Sequence, residues 1–524
     1  MALPAIAVVA GLSSDGVAPV GDPGAQREDP RAWRSGDGRL PDLVDVSESF
    51  SSWRHDGTGS EVSGGAAIDD VDGDGVPDLV VGGGSAGVFF GEPATDSRRL
   101  APVRRQFVPV LGEDARVLSV ATGDLDADGA TDLLFGTAAD RDVIVWGGPW
   151  AAARTGAIAA RTTLESGRPT TGLLPADLDG DGVLEIVRLG YGPDTGATDD
   201  LVWRQVSARA FDRVVLPNSD RRSLAAELVD IDGDGDVEIW VTRDVGWAQG
   251  ADSVYDRLPS GREWIDIADR LGADLAVDGM GVTVADLTDD GVLDVYVSDL
   301  GDNEVLVGAP DRPFTPVDDI GVARIRPPGA GDSVISSSWA SAAIDVNLDG
   351  RLDLVVANGG FGPDADIPNK IPGTSIAVDD PPAILVARRD GRYADVWPQL
   401  DLPWSGRARG MAAGDLDLDG DTDLAIVVHG EGLRVYRNDS VGRSVRVVTD
   451  PACERAGTTV TVRSDLGRIT TLLSPHTFLG AHAVEVVAGV DGPATVDISR
   501  GSMRTTATVD AMPDRSLVSA ACPG

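Results

Sequence analysis

The sequence predicts an all-β protein, a seven-bladed β-propeller closed by an N-terminal strand and followed by a small C-terminal β-sandwich. Three observations lead to this prediction. An Asp-rich nonapeptide occurs seven times in the 524 residues, each copy runs directly into a β-like segment, and one further β-like segment precedes the first copy. The seven copies begin at Asp70, Asp124, Asp177, Asp230, Asp286, Asp345 and Asp415.

The spacing of the copies predicts the blades. Successive copies begin 53 to 70 residues apart. This interval fits one four-stranded propeller blade with its loops and is too long for a short calcium-array repeat. Seven repeats therefore predict seven blades, and they override the domain count that chain length alone would suggest.

Each blade is expected to contain four strands, because apolar and β-branched runs are bounded by Gly and Asp clusters. In the first blade these runs are residues 64–70, 77–83, 87–93 and 105–111. The seventh blade has no fourth run of its own, since a different pattern starts at about residue 441. The segment LVDVSES, residues 43–49, is predicted to pair there, which closes the ring and removes an exposed sheet edge.

The C-terminal part follows another pattern. After Asn438 the acidic loops stop, and six short segments alternate polar and apolar residues. This period of two predicts a small β-sandwich. The predicted organisation is an N-terminal apolar segment and linker (1–41), the propeller (42–441) and the sandwich (442–524).

The nonapeptides are predicted to bind Ca²⁺. A hard cation takes six to eight oxygen ligands, here from side chains at loop positions 1, 3, 5 and 9 and from the backbone carbonyl at position 7, with Gly at position 6 allowing the sharp turn. The sequence thus predicts up to seven Ca²⁺ ions. The predicted ligands are Asp70, Asp72, Asp74, Val76, Asp78, Asp124, Asp126, Asp128, Ala130, Asp132, Asp177, Asp179, Asp181, Val183, Glu185, Asp230, Asp232, Asp234, Asp236, Glu238, Asp286, Thr288, Asp290, Val292, Asp294, Asp345, Asn347, Asp349, Arg351, Asp353, Asp415, Asp417, Asp419, Asp421 and Asp423.

Two other interpretations of these loops fit the sequence less well. An EF-hand closes with a bidentate Glu at position 12 and is flanked by helices. Position 12 is instead occupied by Val81, Phe135, Arg188, Val241, Val297, Val356 and Ile426. Simple Asp-Gly turns would suit one copy, but they do not explain spaced oxygen ligands in every copy.

Composition limits the class of partner. The net charge is −41, much of it within the loops, while 42% of the residues are hydrophobic, which excludes a disordered acidic chain. Such a negative field makes nucleic acid an unsuitable partner. A halophilic surface is the alternative explanation for the remaining acidity. A monomer without a membrane span is expected.

The termini and the two cysteines bear on the compartment. Residues 1–12 are apolar but too short to span a bilayer and lack a basic n-region, so they read as a trimmed signal or anchor, or as an apolar tail. Cys453 and Cys522 bracket the last domain. A bridge between them would close a loop of about 70 residues and stabilise by about 4 kcal/mol; two free thiols are the alternative. A bridge and seven Ca²⁺ sites both favour an extracellular, periplasmic or cell-surface location.

Several segments resemble a known family. Residues 279–307 and 408–439 resemble the FG-GAP/VCBS calcium propeller repeats of integrin α-subunits, and more closely the cartilage acidic protein group. Residues 457–501 resemble the ASPIC/UnbV domain of that group, with Thr477-Phe478-Leu479-Gly480 at its aromatic-Leu-Ser turn and residues 498–501 at its Trp-Pro-Ser-Gly. The resemblance implies a secreted or surface binding protein. Bacterial relatives beside natural-product pathways, and calcium propellers that are enzymes, imply a catalytic alternative.

The predicted topology directs the search for chemistry away from the loops. If all seven loops lie on one rim, the other connections emerge on the opposite face. There we expect Trp53, Trp339 and Trp404 to bind a ligand, with His55, Arg407 and Arg409 as candidate catalytic residues. The alternative is that these Trp residues pack between blades and the Arg residues offset surplus carboxylates.

Two functions follow from these observations. The first is a non-catalytic Ca²⁺-stabilised propeller that binds a protein, glycan or small ligand through the face opposite the loops. The second is an enzyme of specialised metabolism, of the natural-product cyclisation or alkylation type, with its active site in the propeller funnel and with structural Ca²⁺.

Overall fold

Seven four-stranded antiparallel sheets form a β-propeller. The computed structural model describes residues 38–55, 57, 62–92, 105–156, 159–192, 200–219, 221–258, 263–310, 312–317, 320–331, 333–361, 374–449, 456–473, 476–509 and 515–520. The first strand of each blade packs against the first strand of the next, and that of blade 7 packs against that of blade 1. These first strands therefore line a closed central channel.

The strands of the blades are as follows. The first strands are Ala66–Asp69, Val117–Gly123, Thr170–Ala176, Ser223–Val229, Gly281–Ala285, Ser338–Ile344 and Ala408–Gly414. The second strands are Asp78–Val81, Asp132–Thr137, Glu185–Gly190, Glu238–Arg243, Asp294–Ser298, Asp353–Asn358 and Asp423–Val428. The third strands are Ala86–Phe89, Arg141–Val145, Leu201–Ser207, Ser253–Arg257, Glu304–Val307, Ala383–Ala387 and Gly432–Asn438. The outer strands are Phe107–Leu111, Arg161–Glu165, Ala210–Val215, Trp264–Asp266, Thr315–Pro316, Tyr393–Asp395 and, for blade 7, Leu43–Asp45.

The ring closes as the sequence predicts. Leu43–Asp45 pairs antiparallel with Gly432–Asn438, with Leu43 opposite Asn438. The pairing continues past the strand, because Val46 donates its N–H to Val435 at 2.9 Å. The N-terminal strand thus covers an edge that blade 7 would otherwise expose.

The connections contain only short elements among the described residues. A parallel pair joins Val334–Ile335 to Ser375–Ile376. The short helices are Pro149–Ala152, Gly246–Gln249 and Ala268–Leu271, and the 3₁₀ turns are Ser47–Phe50, Glu113–Ala115 and Trp397–Gln399. No helix in the described ranges is long and apolar enough to cross a membrane.

The residues after the propeller form two packed sheets. One contains Glu485–Val490, Arg443–Thr449 and Arg515–Ala520, and the other contains Arg468–Leu472, Thr459–Arg463, Ala494–Arg500 and Met503–Val509. Val445 and Val447 of the first sheet share a buried cluster with Val460, Val462 and Val496 of the second. Val460, Val462 and Val496 belong to segments that the alternation predicts, whereas Arg443–Thr449, which carries Val445 and Val447, was not among the six predicted segments. Cys453 and Cys522 lie outside the described residues, so their predicted bridge stays a prediction.

The sandwich docks on the loop side of the propeller. Gly489 donates its N–H to Asp345 Oδ2 at 2.7 Å, and Arg468 lies 3.1 Å from Asp286 Oδ2. Arg446 lies 3.7 Å from Asp415 Oδ2. Loops 5, 6 and 7, numbered here by blade, are therefore in contact with the C-terminal domain.

A short hairpin of the sandwich lies in the central channel. Its strands, His476–Thr477 and Gly480–Ala481, touch the first strands of blades 1, 2, 4, 5, 6 and 7. Leu479 accepts a hydrogen bond from Val120 N–H at 3.0 Å, and Ala481 pairs with Ala67 in parallel. The channel is therefore filled by the chain itself.

Candidate metal centres and the opposite face

Every loop has the same hydrogen-bonded turn. In all seven, the N–H of the sixth residue, a Gly, donates to the second carboxylate oxygen of the first residue at 2.8 to 3.1 Å. Each of these glycines has a positive φ, between 78° and 95°. Glycine adopts this conformation without a Cβ clash, so the predicted role of position 6 is explained.

The backbone of the fourth loop residue is also in the left-handed conformation, which was not predicted from the sequence. Glycine occupies it in loops 1, 3 and 4, but Ala127, Asp289, Leu348 and Leu418 occupy it in loops 2, 5, 6 and 7, with φ of 55° to 58°. Ala and Leu are unusual in this region, whereas Asp tolerates it better. Only the glycines of loops 1, 3 and 4 carried a sequence signal for it.

The ninth residue is fixed at the start of the second strand of its blade. Asp78 is fully buried, and its two oxygens accept N–H bonds from Val71 at 2.9 Å and Gly91 at 2.6 Å. Equivalent pairs hold Asp132, Asp353 and Asp423. The strand therefore places this carboxylate under the loop, as expected of the last ligand.

Five loops bring their carboxylates together. One oxygen from each of three residues lies within 4.8 Å of the others in loops 1, 2, 3, 4 and 7. The sets are Asp70, Asp72 and Asp78; Asp124, Asp126 and Asp132; Asp177, Asp179 and Glu185; Asp230, Asp232 and Asp234; and Asp415, Asp417 and Asp423. In the described chain, loops 5 and 6 form no such group. Their third positions are Thr288 and Asn347, so each offers one carboxylate fewer.

The carboxylates are held at an electrostatic cost. Burial, together with the charges of Asp72 and Asp70, raises the pKa of Asp78 to about 8. Burial and the charges of Asp232 and Asp230 raise the pKa of Glu238 to about 9. Asp230 Oδ1 and Glu238 Oε1 are buried without a hydrogen-bond partner. Clustered anionic oxygens with free lone pairs suit a hard divalent cation, so the residues fit Ca²⁺.

Arginines from neighbouring elements also approach the loops. Arg154 of blade 2 donates from Nε to Asp72 of loop 1 at 2.6 Å and also pairs with Asp74. Arg209 of blade 3 donates to Asp126 of loop 2 at 2.5 Å. These ion pairs connect adjacent blades through their loops and offset part of the acidity.

Trp53 and His55 meet at the junction of blades 1 and 7, on the face opposite the loops. Trp53 is 3% exposed and donates from Nε1 to Ser85 O at 2.7 Å. His55 Nδ1 accepts the N–H groups of Gly57 and Gly430, both at 3.1 Å. The two rings are in edge contact, with centroids 6.2 Å apart. A ligand could reach the Trp53 ring only by displacing its neighbours.

Trp339 and Arg409 form a second pair, between blades 6 and 7. Both are buried, and the Arg409 guanidinium lies 4.1 Å from the Trp339 ring centroid. Arg409 donates to the carbonyls of Gly359 and Gly360 at 2.9 Å. The Phe478 ring at the tip of the channel hairpin lies 5.3 Å from Trp339. The chain's own aromatic residue thus occupies the position beside Trp339 where a funnel ligand was expected.

Trp404 and Arg407 are more accessible. Both are half-buried, and Trp404 lies edge-on to Trp397 with centroids 6.0 Å apart. The backbone carbonyl of Arg407 accepts the His429 N–H at 2.9 Å. Trp247, on a connection of blade 4, is a further residue of this face, 48% exposed, with Nε1 bound to Asp278 at 2.9 Å.

Comparisons with known proteins agree with the repeat. Residues 124–188, from loop 2 into the second strand of blade 3, match the FG-GAP-like repeat model. No curated protein matches the chain. Solved structures with similarity include an Agrocybe aegerita lectin that recognises non-reducing terminal N-acetylglucosamine (16% identity, 64% of this chain, 79% of that chain, TM-score 0.38). The BBS1N–ARL6DN complex is similar in its mercury-soaked form (12%, 62% and 92%, TM-score 0.33) and its lead-soaked form (13%, 62% and 92%, TM-score 0.32). In residues 124–188 the chain is similar to the FG-GAP-like repeat, and the ring of four-stranded sheets described above is a β-propeller.

Proposed function

We propose that the protein is a secreted, non-catalytic propeller that Ca²⁺ stabilises and that binds a protein, glycan or small ligand through the face opposite the loops. The observation that carries the proposal is the convergence of three carboxylates in each of five loops. Such carboxylates repel one another when ionised. A bound cation removes this repulsion and, by coordinating several of them, cross-links the loop within its blade.

Occupancy should differ between loops. Loops 1, 2, 3, 4 and 7 carry a full set of acidic ligands, whereas loops 5 and 6 have Thr288 and Asn347 at position 3. Because affinity for Ca²⁺ depends on the number of charged ligands, loops 5 and 6 should bind the ion more weakly. In these two loops the C-terminal domain offsets part of the negative charge that a weakly bound ion leaves uncompensated. Arg468 pairs with Asp286, and the Gly489 N–H donates to Asp345.

The proposed binding face is supported by two accessible tryptophans. Trp247 and Trp404 lie on connections that emerge opposite the loops, and both expose part of an indole ring. Indole rings provide large contact areas for sugars and for protein side chains. Trp53 and Trp339 support this face from beneath, because both are buried.

The binding face is tested with the variants Trp404→Ala and Trp247→Ala on an array of glycans in saturating Ca²⁺. We expect each change to weaken binding about tenfold or more, the loss typical of a central aromatic contact. Val206→Ala, at a half-exposed position of blade 3, serves as the control. Array binding that is unchanged in both Trp variants would contradict this placement.

A second candidate function is the enzyme of specialised metabolism, and one buried cluster favours it. Since His55 Nδ1 accepts two backbone N–H groups, its proton is on Nε2, 3.2 Å from Ser63 Oγ. Ser63 Oγ is in turn 3.4 Å from His429 Nδ1. This chain of groups could move a proton at the junction of blades 1 and 7. Catalytic turnover by the His55→Ala variant at the wild-type rate would exclude a role of His55 in proton transfer.

A further inference from the structure

A groove lies between the propeller and the C-terminal domain, on the loop side. Its volume is about 730 Å³. Loop 4, loop 5 and the connection between the third and outer strands of blade 5 form the propeller wall, and the four-stranded sheet of the sandwich forms the other. The groove is therefore distinct from the binding face proposed above and lies on the other side of the ring.

The sandwich wall presents hydroxyl groups. Thr459, Thr461, Thr470 and Ser499 line the groove from three neighbouring strands. Thr461 Oγ1 and Thr470 Oγ1 are 3.2 Å apart and hydrogen-bonded to each other. Each hydroxyl group can donate one hydrogen bond and accept others, so this wall suits a ligand rich in hydroxyl groups.

The propeller wall presents an aromatic ring and two cations. Phe314 lies edge-on to the buried Trp240, with centroids 5.5 Å apart, and its N–H is bound to Leu271 O at 2.8 Å. Arg270 and Arg312 line the same wall and are exposed. A fixed ring with neighbouring guanidinium groups can hold a sugar ring and its carboxylate at the same time.

Charge selects between the two arginines. Arg270 lies 3.3 Å from Asp232 Oδ2 of loop 4 and so already compensates that carboxylate. Arg312 is exposed, and no carboxylate among the described residues forms an ion pair with it. Asp230 and Asp232 also line the groove, on the side where Arg270 pairs with Asp232, so Arg312 is the cation that remains for an anion.

We propose that this groove binds an acidic saccharide, with the sugar ring on Phe314, the hydroxyl groups on the Thr459 wall and the carboxylate on Arg312. This site goes beyond the binding face assigned above, because it needs both the propeller and the C-terminal domain.

The test is calorimetric titration of the full chain in saturating Ca²⁺ with uronate-terminated and sialate-terminated oligosaccharides and with their neutral counterparts. We expect an acidic probe to bind, its neutral counterpart to bind at least tenfold more weakly, and Arg312→Gln to lower the affinity for the acidic probe about tenfold. Thr459→Val should also weaken binding. Arg141→Gln, at a 59% exposed side chain on blade 2, is the matched control and should leave it unchanged.

Three outcomes would overturn the proposal. They are that no acidic probe binds the folded wild type, that acidic and neutral probes bind equally, and that Arg312→Gln and Arg141→Gln have the same affinity as the wild type. Circular dichroism of each variant separates a loss of binding from a loss of folding.

Discussion

At the scale of single residues, the fourth position of each metal loop is where backbone conformation and side-chain identity conflict. Ala127 adopts a φ of 56°, in a region where a Cβ crowds the backbone and costs roughly 1 kcal/mol or more. The invariant glycine at position 6 was predicted from the turn. The left-handed conformation at position 4 could not be predicted, because four different residue types occupy this position and they share no conformational preference.

This conflict predicts that Ala127→Gly stabilises the protein. Removing the Cβ relieves the crowding, and this gain exceeds the cost of the greater conformational entropy of the unfolded chain. The net stabilisation should be up to about 1 kcal/mol. Urea unfolding in Ca²⁺ measures the change. The same substitution at Ala130, whose φ is not positive, should instead destabilise by about 0.5 to 1 kcal/mol. Equal effects at the two positions would disprove the explanation.

A buried carboxyl group remote from the loops predicts a dependence on pH. Burial raises the pKa of Asp380 from 3.8 to about 7, and its Oδ2 has no hydrogen-bond partner. The folded state therefore binds this proton more tightly than the unfolded chain does, and the contribution of Asp380 to stability falls as pH rises from about 4 to about 7.

Asp380→Asn should remove this contribution. The free energy of unfolding of the variant, relative to wild type, should rise steadily between pH 4.5 and pH 7.5, measured by urea unfolding in Ca²⁺. Val378→Ala changes a neighbouring exposed residue that carries no titratable group and should show a flat difference over the same range. A flat difference for Asp380→Asn too would contradict the assigned cause.

At the scale of elements, the hairpin in the channel is the feature that the sequence least reveals. Six of the seven longer strands of the sandwich follow from their alternation, whereas His476–Thr477 and Gly480–Ala481 have two residues each and are too short to show a period. The turn Thr477-Phe478-Leu479-Gly480 was noted only as part of a resemblance. What it does depends on contacts with distant blades, which no local pattern contains.

The hairpin predicts that Phe478→Ala destabilises the whole molecule. Phe478 is fully buried beside Trp339, and truncating such a ring leaves a cavity that costs about 3 to 5 kcal/mol. Phe211→Ala, at a half-buried position on the outer strand of blade 3, should cost less. Thermal unfolding with limited proteolysis distinguishes destabilisation of the whole molecule from detachment of the C-terminal domain alone. Release of an intact propeller at its original melting temperature would contradict a role of the hairpin in holding the blades.

At the scale of the whole molecule, blade number and closure follow from the sequence. The seven loops mark the blades, and the missing fourth strand of blade 7 points to residues 43–49, of which Leu43–Asp45 forms the strand. The placement of the sandwich could not be predicted in this way. It rests on pairs such as Arg468 with Asp286, separated by 182 residues. The sequence therefore predicts an open central funnel, whereas in the structure the hairpin of the sandwich fills the channel.

We propose that Ca²⁺ bound in the loops stabilises the whole propeller. One ion at a hundredfold excess over its Kd contributes about 2.7 kcal/mol, and five loops have converging carboxylates. The most direct measurement is the melting curve of the full chain with Ca²⁺ and after its removal by a chelator. We predict a melting temperature lower by about 10 °C or more without the ion and recovery when Ca²⁺ is restored. A curve that is the same in both conditions would contradict the claim.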